Sequence, residues 1–452
     1  MSTAADVVVI GAGSAGATVA AALAVGSDRR VLLLERGRTD RRAPRRADRM
    51  PVGPTSEWAL RYPVVGGDPL VRGCGVGGSG AVNGGYFVRA RPADLDAFAD
   101  PRWSFDRVLP WFRAIEHDVD FAGPAHGRAG PIPVRRVRVD DLAEPAAALL
   151  GGAPALGLAA VPDLNNAAGD GAGRVPLNVI DGSRIDPGVV LDHGAAPNLR
   201  IRGCVRVRRL MVRRGAVTGV DIGSEVLPAE AVVLCAGAVE SPAILLRSGI
   251  GDPGEVRALG IRPIVSLSGV GRGTVDHPEV RLHYRPDRSP RPGPVLQAVA
   301  HADGLEVRPY STAVSGMVDG APPSDPYVGV AIMAPAGRGR VTLDGAHSAR
   351  VEAPRPAYAE LARARALGSE LLATPDWRAA GLGPATTVAV GTSQHLTGSC
   401  ALGDVVDTYG RLHGVAGVWV ADASVIPVPL SRGPHATVIA VATRIAHESV
   451  MA

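Results

Sequence analysis

The residues best placed to do chemistry in this sequence cluster around glycines. Gly11-Ala-Gly13-Ser14-Ala15-Gly16 follows the apolar run Asp6-Val-Val-Val-Ile10 and opens an Ala/Val-rich segment that continues to about Val25. A second apolar run, Val31-Leu-Leu-Leu34, ends on Glu35. Glycines let a backbone approach a pyrophosphate, and a helix N-terminus offers unpaired N–H groups and positive dipole. An acid at the end of the second strand accepts ribose hydroxyls. Strand, glycine turn, helix, strand, acid in that order predicts a dinucleotide site; a tight βα turn without ligand is the bland alternative.

A second glycine run, Arg72-Gly-Cys-Gly-Val-Gly-Gly-Ser-Gly-Ala-Val-Asn83-Gly84-Gly85-Tyr86, holds five glycines between Gly73 and Gly80. Such a run is costly unless backbone must pass very close to something, such as a planar ring or a phosphate. The eleven histidines supply groups that titrate near neutrality and suit proton transfer. His117, His126, His193, His347 and His447 read as structural or surface groups, and His277, in an Asp-His-Pro turn, as structural. No HxxH or Cys/His cluster predicts a metal, and no G-x-S-x-G elbow predicts a hydrolase. All 48 basic residues are Arg, which excludes a P-loop lysine and a Schiff-base lysine.

These residues need a large frame to position them. The chain has 452 residues, 46% of them hydrophobic, with a formal charge of +4, enough for two to three domains. The basic stretch Arg38–Arg49 lacks interleaved aromatics, so nucleic-acid binding is not expected. Four cysteines lie scattered without a CxxC pair; two disulfides are arithmetically possible, but a chain of this size does not need them. No basic-then-apolar leader and no 18-residue apolar stretch is found; a cytoplasmic protein is expected, with peripheral contact at a membrane left open. Further apolar runs at Ala231–Cys235 and Gly417–Ala421 predict more parallel strands. Asn198–Arg208 and Val217–Ile222 read as strands, and Phe105–Asp118 and Leu142–Leu150 as helices. A helix start is marked by Ser241-Pro242, and the last helix is Ala436–Glu448. Residues 38–70 read as a long surface connection. Alternating segments at Leu305–Tyr310, Tyr327–Met333 and Arg340–Leu343 predict an antiparallel sheet.

Four segments in the right order resemble the glucose–methanol–choline (GMC) oxidoreductases, flavoenzymes that oxidise alcohols. They are the N-terminal nucleotide motif, Arg72–Arg89, Gly237–Gly251, and His395-Leu-Thr-Gly-Ser-Cys400 with Val418–Ser424. Within the family the chain is most similar to the branch associated with mycofactocin, a peptide-derived redox cofactor. The resemblance implies an α/β fold: a Rossmann-like FAD-binding domain from 1–90, 171–280 and 385–452, and a substrate-binding domain on an antiparallel sheet from 91–170 and 281–384.

It also implies non-covalent FAD, since Val82 replaces the histidine that tethers flavin in some members. Pyrophosphate would meet Gly11, Gly13, Ser14, Ala15 and Gly16, and the adenosine end Glu35, Arg36 and Val207. The isoalloxazine would lie along Arg72, Gly73, Gly77, Gly78, Asn83, Gly84, Gly85 and Tyr86. Ala236, Asp422, Ala423, Ala436 and Thr437 would approach the remainder. His395 matches the general base and His435 the residue that orients the substrate oxygen. The sequence departs from the family pattern at Gly273, at Leu396 and in an abbreviated stretch between Leu343 and Pro384. The implied partners are a small-molecule alcohol or reduced mycofactocin, and an electron acceptor: a quinone, a respiratory component or oxygen. Rival functions are an oxygen-using oxidase or choline-type dehydrogenase of the same family, a redox-neutral hydroxynitrile lyase, an NAD(P) dehydrogenase and a non-catalytic carrier.

Overall fold

The computed structural model describes residues 5–166, 169–192, 196–345 and 348–451; His193 and His347 lie outside them. Two sheets organise the chain. The first is parallel and five-stranded, in the order Leu199–Arg202, Val31–Leu34, Val7–Ile10, Ala231–Leu234, Val418–Val420. Its three inner strands read as unbroken apolar runs because helices and loops cover both faces; Val7 to Val9 and Val232 to Leu234 are fully buried. Strands from the beginning, middle and end of the chain thus lie side by side. Helices Ser14–Gly26 and His435–Ile445 pack beside this sheet in one apolar core.

Helix Gly237–Arg247 starts four residues before the expected Ser241-Pro242, so Pro242 lies inside it. A proline there cannot donate to the carbonyl four residues back, and Ser399 Oγ donates to that Ala238 oxygen at 2.7 Å instead. The helix therefore survives its proline by borrowing a hydroxyl from the C-terminal region.

The second sheet has six strands in the order Leu382–Thr392, Pro278–Pro286, Tyr327–Ile332, Leu305–Pro309, Ala298–Ala302, Gly171–Arg174. It crosses the expected domain limits at 171, 281 and 385. One face carries Val280, Leu282, Val307, Val328 and Val330 into a core against helices Glu144–Gly152 and Tyr358–Leu372. The other carries charge, as described below.

Several expectations are corrected. Phe105–Asp118 is helical only to Ile115; Glu116–Asp118 pairs as a strand with Ile132–Val134. Asn198–Arg208 is broken after Arg202, where Cys204 adopts φ +57°, and Val205 N turns to donate to Glu35 O at 2.8 Å. The 38–70 connection contains the hairpin strand Ala59–Tyr62, paired with Leu70–Gly73. Arg340–Leu343 falls in a separate three-stranded sheet. The four cysteines are free. Among the described residues, no helix is long and apolar enough to cross a membrane.

Candidate active site

The first glycine turn is shaped by contact. Gly11 has φ +100°, and a Cβ there would lie 2.6 Å from Cys235 O. A Cβ on Gly16 would lie 1.8 Å from Gly11 O, so this residue lets the helix sit against the turn. Gly13 meets only Gly78 Cα, at 3.8 Å, and leaves one face of the turn open. The first helical amides, of Ser14 and Ala15, have no intrahelical acceptor, and both residues line the cavity described below.

Glu35 is 7% exposed and already heavily engaged. Its Oε2 accepts from Ala12 N at 2.8 Å, and its Oε1 from Gly37 N at 2.7 Å and Gly75 N at 3.0 Å. The acid expected to meet a ribose therefore first ties the two glycine segments together. Asp422 behaves similarly: it accepts from Gly237 N at 2.8 Å, Ser241 Oγ at 2.6 Å, Ser424 N at 2.8 Å and Ser424 Oγ at 2.6 Å. Burial pushes its carboxyl upward in pKa. The bonds from Gly237 and Ser241 join the middle and terminal βα units, and those from Ser424 fix the carboxylate in its own turn.

The two histidines expected to be catalytic, His395 and His435, line one cavity of about 610 Å³, within the size range of sites for small molecules and cofactors. It runs from Gly11, Gly13, Ser14, Ala15, Glu35, Arg36 and Val207, past Arg72, Gly73, Gly78, Asn83, Gly84, Ala236, Asp422 and Ala423, to Tyr86, His395 and His435. Gly433, two residues before His435, packs against Tyr86 and His395; a Cβ there would meet them at 2.9 and 3.4 Å. Gly80 gives His435 its room, since a Cβ would stand 2.8 Å from the ring. His435 Nε2 and Ser393 Oγ are buried beside the cavity without a hydrogen-bond partner.

His395 is held from behind. Asp276 Oδ1 accepts from His395 N at 2.7 Å and His277 N at 2.8 Å, and its other oxygen accepts from Thr392 Oγ1. His277 Nδ1 and His395 Nδ1 lie 3.0 Å apart with the rings at 88°. Burial, then the positive charge of Arg308, holds His395 well below its ordinary pKa. Burial alone dominates for His277 and His435, each pushed down to about 4, with Arg184 assisting at His435. All three rings are neutral at pH 7. His277, read from sequence as structural, thus touches the expected base.

The charged face of the six-stranded sheet closes the far end. Arg281 and Arg308 stand opposite Gly329, and Glu279 and Glu306 opposite Ala331; the two small residues leave space for four charged side chains. Glu279 Oε2 accepts from Arg281 Nε at 3.0 Å, Arg308 Nη1 lies 3.5 Å from Glu279 Oε1, and Arg308 Nε donates to Glu306. Glu306 also accepts from Tyr86 Oη at 2.6 Å and meets His301 Nε2 at 2.7 Å. Tyr310 and Tyr327, 4.6 Å between centroids, complete the wall.

Comparison with known proteins identifies this architecture. Residues 5–279 and 335–442 match the N- and C-terminal models described as GMC oxidoreductase. The chain belongs to the GMC oxidoreductase family. It is 37% identical to an uncharacterised GMC-type oxidoreductase in the thcA 5′ region of Rhodococcus erythropolis, over 97% of both chains. Pyridoxine 4-oxidase of Microbacterium luteolum is 29% identical over 97% of this chain and 98% of that one. The crystal structure of pyridoxine 4-oxidase from Mesorbium loti superposes with TM-score 0.86 at 26% identity, covering 99% of each chain.

As a GMC oxidoreductase the chain is an enzyme, and FAD is the cofactor its family brings. The residues present fit it: an open glycine turn, unpaired helix amides and two buried polar atoms without partners line one continuous space. Not every expected GMC position reaches that space. Gly16, Gly77, Gly85, Ala436 and Thr437 lie outside the lining. Gly77 N donates to Ala12 O at 2.8 Å, Gly85 N to Asn83 Oδ1 at 2.9 Å, and Thr437 Oγ1 accepts from Ala90 N at 3.1 Å. Sequence reading missed Asp276, Glu279, Arg281, Glu306 and Arg308; charged residues two apart on a strand look like a solvated face.

His126, read from sequence as a structural or surface group, sits in a buried cluster: its ligand atoms, with those of Glu116 and Asp118, lie within 4.8 Å of one another. Arg136 already meets both Asp118 oxygens, at 2.7 and 2.6 Å, and Arg89 meets Glu116. Burial opposes charge on His126, yet hydrogen bonds it donates to Asp118, Asp163 and Glu116 lift it to about 10. The cluster is an ion-pair hub whose third cation is the imidazolium.

Proposed function

We propose that this enzyme oxidises the CH–OH group of a small primary alcohol carried on a flat or aromatic body, with His395 as base and His435 as the group that positions the substrate oxygen. The observation that carries the reading is the arrangement of two neutral, half-buried imidazoles on the cavity that begins at the glycine turn. When bound, FAD accepts the hydride from the alcohol carbon. The protein's own part is proton and position. His395 Nε2 takes the hydroxyl proton, a role suited to an imidazole kept unprotonated by burial and positive neighbours. His435 Nε2 lacks a partner and gains one from the hydroxyl oxygen. Arg308 and Arg72 are the positive groups nearest His395 in effect, and they favour the anionic oxygen that proton loss creates.

The flat body is supported by Tyr310, Tyr327 and Tyr86 around the charged floor, and by relatives named for aromatic alcohols: pyridoxine and 5-(hydroxymethyl)furfural. The cofactor contacts follow the lining: pyrophosphate at Gly11, Gly13 and Ser14, adenosine at Glu35 and Val207, and the ring at Arg72, Gly78 and Asn83. Val82 keeps the cofactor non-covalent. Reduced mycofactocin, with a non-NAD acceptor, is the second substrate reading and rests on the Gly77–Arg89 sequence.

Anaerobic mixing of the yellow holoenzyme with pyridoxine, 5-(hydroxymethyl)furfural, choline and reduced mycofactocin tests both. Bleaching at 450 nm by an aromatic alcohol supports the first, and bleaching by reduced mycofactocin alone replaces it with the second. An enzyme that turns over a cyanohydrin with its flavin oxidised throughout is a lyase and defeats both.

A further inference from the structure

We propose that His277 is a positioning residue that fixes the tautomer of His395, and with it the atom available to the substrate; this rests on the reading of His395 as base. The argument begins from hydrogen-bond valence. A neutral imidazole has one N–H and one lone pair. At 3.0 Å the two Nδ1 atoms share one proton between them, so one ring donates and the other accepts. Among the described residues, His277 Nδ1 is the partner that His395 Nδ1 meets. A base needs its lone pair on the cavity side, at Nε2. That tautomer places the proton on Nδ1 and demands an acceptor there, which His277 supplies.

The pair is built to keep this geometry. One carboxylate oxygen, Asp276 Oδ1, receives both backbone amides, of His277 at 2.8 Å and of His395 at 2.7 Å. Val275 N donates to Thr397 O at 3.1 Å, Thr397 N to Val275 O at 2.9 Å, and Ser393 N to His277 O at 2.9 Å. The two loops, 118 residues apart in sequence, therefore move as one. Charged groups around His277 are Asp276, Arg308, Glu306 and Asp94, and around His395 Arg308, Glu306 and Arg72. The usual orienter of a catalytic histidine is a carboxylate, which also stabilises the imidazolium. An imidazole orients without adding negative charge, so it selects the tautomer and leaves His395 easy to deprotonate.

Two measurements test this. Nitrogen-15 chemical shifts of the oxidised wild-type holoenzyme, with His395 identified by the signals lost in His395→Gln, report the tautomer without turnover. A protonated Nδ1 and bare Nε2 are expected; a protonated Nε2 overturns the proposal. Second, anaerobic flavin reduction is compared in His277→Leu and His277→Gln across pH 6–9. Leu offers no acceptor and is expected to slow reduction about a hundredfold with KM little changed, the scale of losing a correctly poised base. Gln, whose carbonyl accepts from Nδ1, is expected to recover most of that loss and the wild-type ¹⁵N pattern. A Leu variant with an unaltered rate, or a Gln variant no better than a folded Leu variant, defeats the role. If His395→Ala reduces its flavin as fast as wild type, the base reading itself has failed, a result separate from either.

Discussion

Two regions of this enzyme bury histidine, and they treat it in opposite ways. At the hub, His126 sits among Glu116, Asp118 and Asp163, and hydrogen bonds donated to those carboxylates hold it charged. At the cavity, loss of solvent dominates at His277, His395 and His435, with Arg308 adding to it at His395 and Arg184 at His435, and all three stay neutral. Burial alone penalises the charged form in both places. Desolvation leaves an imidazole a neutral base unless hydrogen-bonded carboxylates outweigh it, as at His126, and make it a structural cation.

The sharpest break in the comparison is His395→Ala. It is expected to keep FAD bound and lower single-turnover flavin reduction by about a hundredfold or more. His126→Leu is the converse: reduction per holoenzyme unchanged, but stability lowered by ~3 kcal/mol, because three carboxylates lose a buried cation. Urea unfolding measures the second, and a loss of rate in properly folded His126→Leu would merge two regions held here to be separate.

The opposite shifts also predict opposite pH flanks. His126, raised from about 6.5 to about 10, contributes stability in full below about pH 6.5 that is lost as pH climbs through 10. His277 and His435, depressed to about 4, contribute above about pH 6.5 and lose that contribution as pH falls through 4. Urea midpoints at pH 4.5, 7.5 and 10 are expected to fall at both ends in wild type. In His126→Leu the alkaline fall should shrink and the acid fall persist.

Glu35→Gln is the smallest change. A carboxamide has one acceptor oxygen where Glu35 offers two to three amides, so one backbone donor loses its partner, at a cost of about 1–2 kcal/mol. FAD retention on dilution should weaken with little effect on reduction of the flavin that stays. Full retention at unchanged melting temperature would remove Glu35 from the cofactor site.

The parallel sheet was readable because its strands are buried on both faces and so are written as apolar runs. Gly11 and Gly16 were readable because close backbone contact restricts residue choice more than packing does. The antiparallel sheet was half readable: alternation located Leu305–Pro309 and Tyr327–Ile332, but their charged face pointed inward. Ion pairs take the place of solvent: Arg281 with Glu279 and Arg308 with Glu306 within their strands, and Arg308 with Glu279 between strands, the one that register decides. Helix Phe105–Ile115 ends early for a like reason, since Glu116 and Asp118 are pulled into the hub by arginines distant in sequence. His277 was visible in its turn, yet nothing within reach of residue 277 announces His395.

The interleaved strand order has a consequence for biosynthesis. Val418–Val420 is the outer strand beside Ala231–Leu234, and Asp422, Ala423 and His435 supply part of the cavity wall. A ribosome-bound chain therefore carries a gapped pocket until its final stretch emerges. Loading with flavin should be a late, post-translational event, and chains terminated before Val418 should emerge colourless whatever the supply of cofactor.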